Sequence, residues 1–445
     1  MKLSIIGGGG VRGPLLLLTL ARRRERYGIE EVAIYDVDEK KTAIMAAMTK
    51  SMIEREGLKL NWRVCSTARE ALTGMDAIIT TIREGFEEGR ARDERICLDM
   101  NVIGQETTGP AGYAFAVRSV PVISEYVKIA GDRSPGAWIL NFTNPAGLLA
   151  QSMQRVGHPK IVGICDSADN CQKFVAKACG VGRRDVKIQV FGLNHLSWSS
   201  SAVVKGREVL PGLLGDSTFL RAAQSVIDPA IPGRLGLFCN EYLYYFYQSA
   251  EALAAMRAEP ECRGELVKRL NRELLGDLDH LMAGHDLSGA VSRYEAYHQK
   301  RSDTYMDYAR VEGGAAHTFE IEGYAGVALD FLDSLSGDGV RIALNVANRG
   351  GMDFLKDDDV VEISCDIGGG SYGVVKAPSM PQEVKDLILT VKKYERLAVE
   401  SIERRSRDAA IAALTVHPLV ASEPMAAALY KAFAEAQPAY YKGWK

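Results

Sequence analysis

Cys165 and Asp166 stand side by side at the end of one apolar run, IVGICD at 161–166, and His195 follows the next such run, within LNHL at 193–196. A thiolate and an imidazole make a soft-to-borderline ligand pair for a divalent metal, with positions left open for water or substrate. Each residue also has a plainer reading. A cysteine is commonly a small core residue, a histidine a buried hydrogen bonder, and an accessible thiol a redox sensor. The aromatic run YLYYFY at 242–247 offers four phenols, Tyr242, Tyr244, Tyr245 and Tyr247. A phenol titrates near pKa ~10 and serves as a base at neutral pH only where its surroundings lower that value. Otherwise such a run is packed aromatic core.

The elements that position these groups begin at the N-terminus. Leu3–Ile6 is a short apolar run rich in β-branched residues, followed by four glycines, Gly7, Gly8, Gly9 and Gly10. A helical stretch, Pro14–Arg26, and a second apolar run, Val32–Tyr35, lead to Asp36. This is strand, glycine turn, helix, strand, acid. Glycines let the backbone approach a pyrophosphate, the helix N-terminus offers amides and a positive dipole end, and the acid accepts from a ribose diol. Gly8, Gly10 and Gly13 fit G-x-G-x-x-G; Gly7 and Gly9 fit its first half, with Arg12 in the third place. The context required of a dinucleotide fingerprint is met. Asp36 favours NAD, because a carboxylate repels a 2′-phosphate. A glycine turn in a flavodoxin-like sheet without nucleotide is the alternative.

Further strand–helix alternation follows: strands at Trp62–Ser66, Asp76–Thr81, Ala137–Asn141, Ile161–Asp166 and Val186–Gly192, and helices at Lys40–Glu56 and Thr67–Leu72. That pattern predicts an α/β fold with a Rossmann-type, doubly wound parallel sheet, and places the tips carrying Cys165 and His195 as neighbours in it. Residues 82–122 read as a charged and glycine-rich loop at a strand's carboxyl end, mostly solvated, from which Arg90 is singled out as a ligand contact. NFTNP at 141–145 reads as a turn presenting amides. Beyond residue 196 the pattern loosens into a second, mixed α+β, helix-rich domain, so the expected division is 1–196 and 197–445. Within the second part, helices are expected at Glu265–Leu281, Val327–Ser334, Pro381–Leu414 with a break, and Met425–Ala436. Strands are expected at Arg341–Val346, Val360–Asp366 and Gly373–Lys376.

The formal charge of −3 gives no electrostatic case for nucleic acid or an anionic membrane surface. The leucine-rich stretch Leu15–Leu20 is too short to span a bilayer. Eight cysteines without paired spacing suit a reducing compartment, and the expected location is cytoplasmic.

IGGGG followed by Pro14, GQETTG, NFTNP, ICD, GLNHL and EYLYYFY together resemble glycoside hydrolase family 4, most closely its 6-phospho-β-glucosidase branch, over most of the chain. The resemblance implies a lactate/malate dehydrogenase-like fold, NAD and Mn²⁺ (or another divalent metal), a sugar substrate, and a homodimer or homotetramer. It implies a mechanism that departs from ordinary glycosidases. NAD oxidises C3 of the sugar, a base removes the C2 proton, the C1 substituent is eliminated, water adds, and the ketone is reduced again. By position, the resemblance makes Cys165 and His195 metal ligands, Tyr242 the base, Arg90 and Asn144 substrate contacts, and Asp166 the acid of the α-glucosidase branch. The β branch more often has Asn at that last position, which leaves the anomer open. A Lys-Arg-Gly-Gly segment of the family becomes Lys300-Arg301-Ser302-Asp303 here. Arg301 is retained as a phosphate contact, but an Asp beside a phosphate is unfavourable. A non-phosphorylated or other anionic sugar therefore stands as one alternative. A 2-hydroxy-acid dehydrogenase, which requires a His–Asp pair, stands as another.

Overall fold

The computed structural model describes residues 1–312, 314, 323–335, 337, 339–420 and 422–445. Six parallel strands form one side of a nine-stranded sheet: β1 (Lys2–Ile6), β2 (Glu31–Tyr35), β3 (Trp62–Val64), β4 (Ala77–Thr80), β5 (Trp138–Asn141) and β6 (Ile161–Gly163). Their spatial order is 3-2-1-4-5-6, the Rossmann order, with the switch point between β1 and β4. Leu3, Ile5, Ile6, Ile78, Ile79, Ile139 and Leu140 are all buried. These strands are therefore continuous apolar runs rather than alternating ones, as expected when helices cover both faces of a sheet.

Two-residue alternation appears only where the sheet leaves this pattern. A hairpin, β7 (Val186–Leu193) and β8 (Leu196–Val204), forms a second sheet with the short strands β9 (Arg207–Glu208) and β10 (Phe238–Cys239). The strand leading to His195 is thus antiparallel and lies outside the parallel sheet, contrary to the sequence expectation. A short apolar strand looks the same in either setting. Three more strands, β11 (Val340–Ala347), β12 (Val360–Gly368) and β13 (Ser371–Val374), add antiparallel to β6 and complete a nine-stranded sheet. Residue 196 is the first residue of β8, and both halves of the chain contribute to the large sheet.

Residues 82–122 also differ from expectation. They fold into the helix Phe86–Asp99 and the first half of Pro110–Arg133. Asp93 and Glu94 are buried there rather than solvated. Asp93 pairs with Arg118 at 2.6 Å and Glu94 with Arg90 at 2.8 Å. Ion-paired charges occupy inward positions that a hydrophobic pattern search would read as polar. The predicted break in 381–414 is real: Gln382–Arg404 ends at Arg405, whose φ is +51°, and Arg407–Val416 follows.

Two C-terminal helices reach back to the glycine loop. Arg263–Ala283 and Leu287–Asp303 pack Leu270, Leu274, Leu278, Tyr294 and Tyr297 against Leu15, Leu18, Met45 and Met48. The Tyr294 hydroxyl donates to the Val11 carbonyl at 2.7 Å. This contact holds the middle of Leu287–Asp303 against the glycine loop.

Candidate active site at the carboxyl ends of the strands

The glycine loop is shaped by close approaches that exclude side chains. Gly7 has φ +94°, and a Cβ there would lie 2.5 Å from the Thr81 carbonyl oxygen. A Cβ on Gly9 would meet Thr42 Oγ1 at 2.2 Å, and one on Gly13 the Gly8 carbonyl oxygen at 2.2 Å. The Gly9 amide donates to Asp36 Oδ2 at 3.1 Å, and Asp38 N–H to Asp36 Oδ1 at 3.1 Å. The acid is oriented by the loop itself, at the tip of β2. Gly8 and Gly10 complete the turn, whose Gly10 amide donates to the Gly7 carbonyl. Glycines, first-turn proline and oriented acid fit a dinucleotide at the switch point.

Cys165 lies two residues past the end of β6. His195 is the second residue of the two-residue turn joining β7 to β8, where Leu193 pairs with Leu196. Its φ is +61°, a left-handed conformation uncommon for a non-glycine residue. The two meet with Cys165 Sγ 3.5 Å from His195 Nε2. Thr107, from the GQETTG loop, sets the tautomer. Its hydroxyl donates to Gln105 Oε1 at 2.9 Å and so accepts from His195 Nδ1, 2.6 Å away. That leaves the Nε2 lone pair facing the sulfur, the arrangement in which a ligating histidine is oriented through its other nitrogen. Burial lowers the His195 pKa to about 4, so the ring is neutral near pH 7. Metal–sulfur and metal–nitrogen bonds of ordinary length put the two donors about 3.1 Å apart at a right angle and about 3.6 Å at the tetrahedral angle. The observed 3.5 Å fits a shared divalent ion. Among the described residues no group of three or more His, Cys, Asp or Glu gathers around a metal position.

Of the four tyrosines in the aromatic run, Tyr242 lies at this site. Its ring stacks on His195 with centroids 3.6 Å apart and planes 4° from parallel. Tyr245 turns to Tyr308, with the hydroxyls 2.9 Å apart, and the buried Tyr247 hydroxyl has no hydrogen-bond partner among the described residues. Tyr305 was not legible as a site residue in the sequence. Its hydroxyl lies 2.8 Å from the Tyr242 hydroxyl and 3.0 Å from Glu241 Oε1. Asp166 is half-buried beside the pair. Desolvation raises its carboxyl above the ordinary range, opposed by Arg12 and Lys173.

Arginines gather around Glu106, the neighbour of Thr107. Arg90 is buried and pairs with Glu94 and Glu106 at 2.8 Å each. Glu106 also accepts from Arg83 at 2.7 Å. Burial opposes its charge, but Arg83 and Arg90 together hold its carboxyl well below the usual carboxylate range. Arg301 donates to the Tyr297 hydroxyl at 2.9 Å. Arg263, also unforeseen, is pushed down to about 10 by burial first and then by the positive charges of Arg301 and Arg90. Asp303 is exposed and accepts from Gln299 at 2.7 Å on the outer face of its helix. Asn144 is half-buried at the NFTNP turn after β5, where the Asn144–Pro145 peptide is cis.

The fold and site thus define a class: a Rossmann-type protein whose strand tips carry a Cys–His donor pair, a stacked tyrosine and an arginine cluster. The chain belongs to family 4 of the glycosyl hydrolases. The family 4 glycosyl hydrolase sequence model matches residues 2–181, and its C-terminal domain model matches residues 190–420. Particular relatives narrow the comparison. The chain is 28% identical to a probable 6-phospho-beta-glucosidase of Bacillus subtilis, covering 99% of this chain and 97% of that one. It is 25% identical to the phospho-alpha-glucosidase PagL of Clostridium acetobutylicum, covering 99% and 98%. The 6-phospho-beta glucosidase of Thermotoga maritima, solved with manganese, NAD+ and glucose-6-phosphate, superimposes with a TM-score of 0.83 at 26% identity over 99% of both chains.

Proposed function

We propose that this enzyme hydrolyses a 6-phosphorylated glycoside by a redox-assisted elimination that uses NAD and a divalent metal, Mn²⁺ by analogy with its structural relative. The observation that carries the proposal is the convergence of Cys165, His195 and Tyr242: a metal-type donor pair 3.5 Å apart with a phenol stacked on its imidazole. When bound, NAD accepts and returns a hydride at sugar C3, and the metal polarises the neighbouring sugar oxygens as a Lewis acid.

The chain's residues supply the rest. Tyr242, as the phenolate, takes the C2 proton from carbon, and until then the Tyr305 hydroxyl 2.8 Å away donates to the phenolate oxygen. Asp166, its carboxyl raised by desolvation, donates to the departing C1 oxygen. Arg301 and Arg263 face the 6-phosphate, and Asn144 and Arg90 hold the sugar side of the pocket. In this reading residues 1–196 bind the cofactor, and residues 197–445 bring Tyr242, Arg263, Arg301 and the oligomer contacts of a homodimer or homotetramer. All eight cysteines are free, and no described helix is long and apolar enough to cross a membrane. Both features suit a cytoplasmic sugar-phosphate enzyme. A second reading concerns the anomer. An acid at position 166, where the β branch more often has Asn, favours an α-glycoside.

The test uses reduced, metal-stripped protein supplied with NAD and Mn²⁺ separately and together, on α- and β-linked chromogenic glucosides with and without a 6-phosphate. Cleavage that needs both additions, without net NADH, is expected, and it should fall away in Cys165→Ser. Cleavage without NAD would refute the mechanism, and accumulation of NADH without cleavage would favour a dehydrogenase.

A further inference from the structure

Asn240 lies at a junction that the reaction scheme above does not use. It is buried at 6% exposure, at the end of β10 and immediately before the turn Glu241–Leu243. Its three side-chain bonds run to three different parts of the site. The Tyr242 amide donates to Asn240 Oδ1 at 3.0 Å. Asn240 Nδ2 donates to Ser167 Oγ at 3.1 Å and to Ser197 Oγ at 3.3 Å. An amide N–H can only donate, so Tyr242 settles which end of the carboxamide is oxygen, and both Nδ2 protons then point at the serines.

This fixes the direction of the bonds beyond. Each serine accepts from Asn240, so each hydroxyl proton is free to point outward. Ser197 donates to Glu362 Oε2 at 2.7 Å. Ser167 Oγ lies 3.0 Å from Cys165 Sγ, and its outward proton is in place to donate to a thiolate there, the acceptor role that a ligating sulfur has. Glu362, 1% exposed, also accepts from Asn194 at 3.0 Å and from Asn345 at 3.2 Å. Asn194 and Ser197 flank His195 on its turn. One carboxamide therefore connects to Cys165 through Ser167, to the His195 turn through Ser197 and Glu362, and to Tyr242 through its own oxygen.

Resting on the reading of Cys165 and His195 as a metal pair, we propose that Asn240 is a positioning residue: it orients the hydrogen bonds around both metal donors and holds the Tyr242 turn in register with them. Outer hydrogen bonds of this kind commonly change metal affinity ~10–100-fold when removed. Asn240→Asp is nearly isosteric but acceptor-only. Both serine hydroxyls would turn inward to donate to it, and Ser167 would release the sulfur.

The experiment titrates Co²⁺ into the reduced, NAD-loaded enzyme and follows the sulfur-to-cobalt charge-transfer band, with NAD affinity measured on the same samples. Wild type should show the band. Asn240→Asp should bind Co²⁺ about 10–100-fold more weakly, with the band moved to lower energy and NAD affinity unchanged. Wild-type cobalt affinity and an unshifted band in Asn240→Asp would overturn the proposal. Should that variant lose NAD binding, Ser167→Ala decides in its place, since it removes the hydroxyl between Asn240 and Cys165. Wild-type affinity and band in Ser167→Ala would then overturn it equally. A missing band in wild type would instead overturn the assignment of Cys165 as a metal ligand, and the positioning role with it.

Discussion

Removing the Tyr242 hydroxyl should separate catalysis from folding. In Tyr242→Phe the ring keeps its stack on His195 at 3.6 Å. Tyr305 loses one neighbour at 2.8 Å but retains Glu241 at 3.0 Å, so no buried hydroxyl is left without a partner. The stability change should stay within about 1 kcal/mol, the net worth of one neutral hydrogen bond. A general base contributes about 10²–10⁴ in rate, or about 2.7–5.5 kcal/mol of barrier. Turnover should fall by that factor while the thermal midpoint moves by a few degrees at most. The assay is proton NMR in D₂O, following deuterium entry at C2 of the sugar alongside glycoside cleavage and NADH absorbance. Deuterium entry should slow as much as cleavage. Wild-type exchange in a folded Tyr242→Phe protein would remove Tyr242 as the base. Tyr245→Phe is the control, because that ring is committed to Tyr308 and should leave exchange unaffected.

Two further outcomes follow from the geometry. Gly9→Ala should weaken NAD binding, measured by fluorescence titration, because its Cβ would lie 2.2 Å from Thr42 Oγ1 and 3.0 Å from Asp36 Cβ; adding Thr42→Ala should recover part of the loss, and NAD affinity equal to wild type in the single variant would contradict the packing argument. His417 is 1% exposed, and burial lowers its pKa to about 3. Its folded value lies below its unfolded one, so its contribution is present above pH ~6.5 and lost as pH falls. Relative to His417→Asn, wild type should lose about 1 kcal/mol between pH 7 and 5.5. Urea midpoints at the two pH values measure this, and a pH-independent difference would show that His417 titrates in the fold as it does in the unfolded chain.

How much of this was legible in the chain depends on the range of the interactions. The glycine loop, Asp36 and the central strands were readable because each is a local device: a turn that excludes Cβ, a strand apolar on both faces, an acid at a strand tip. The 82–122 segment was misread because its inward positions carry Asp93, Glu94 and Arg90, which are neutralised by one another and by Glu106 and Arg118 only once the segment has folded into its two helices. The helix Leu287–Asp303 passed unnoticed because its buried face mixes Ala290 and Val291 with Tyr294, Tyr297 and His298, and because it packs on the neighbouring helix Arg263–Ala283 and on residues of the first 50.

The sequence by itself determined the dinucleotide fold, the pairing of residue types that suits a metal, and the family resemblance that joins them. Only the tertiary structure decided which tyrosine of the run meets His195, because four adjacent phenols differ in direction and not in type. It also decided that Asp303 faces solvent and that His195 arrives on an antiparallel hairpin. Asn240 and Glu362 acquire meaning only where β8, β10 and β12 come together. Buried polar groups must find donors and acceptors across elements far apart in the chain, and those partners exist only once the chain has folded.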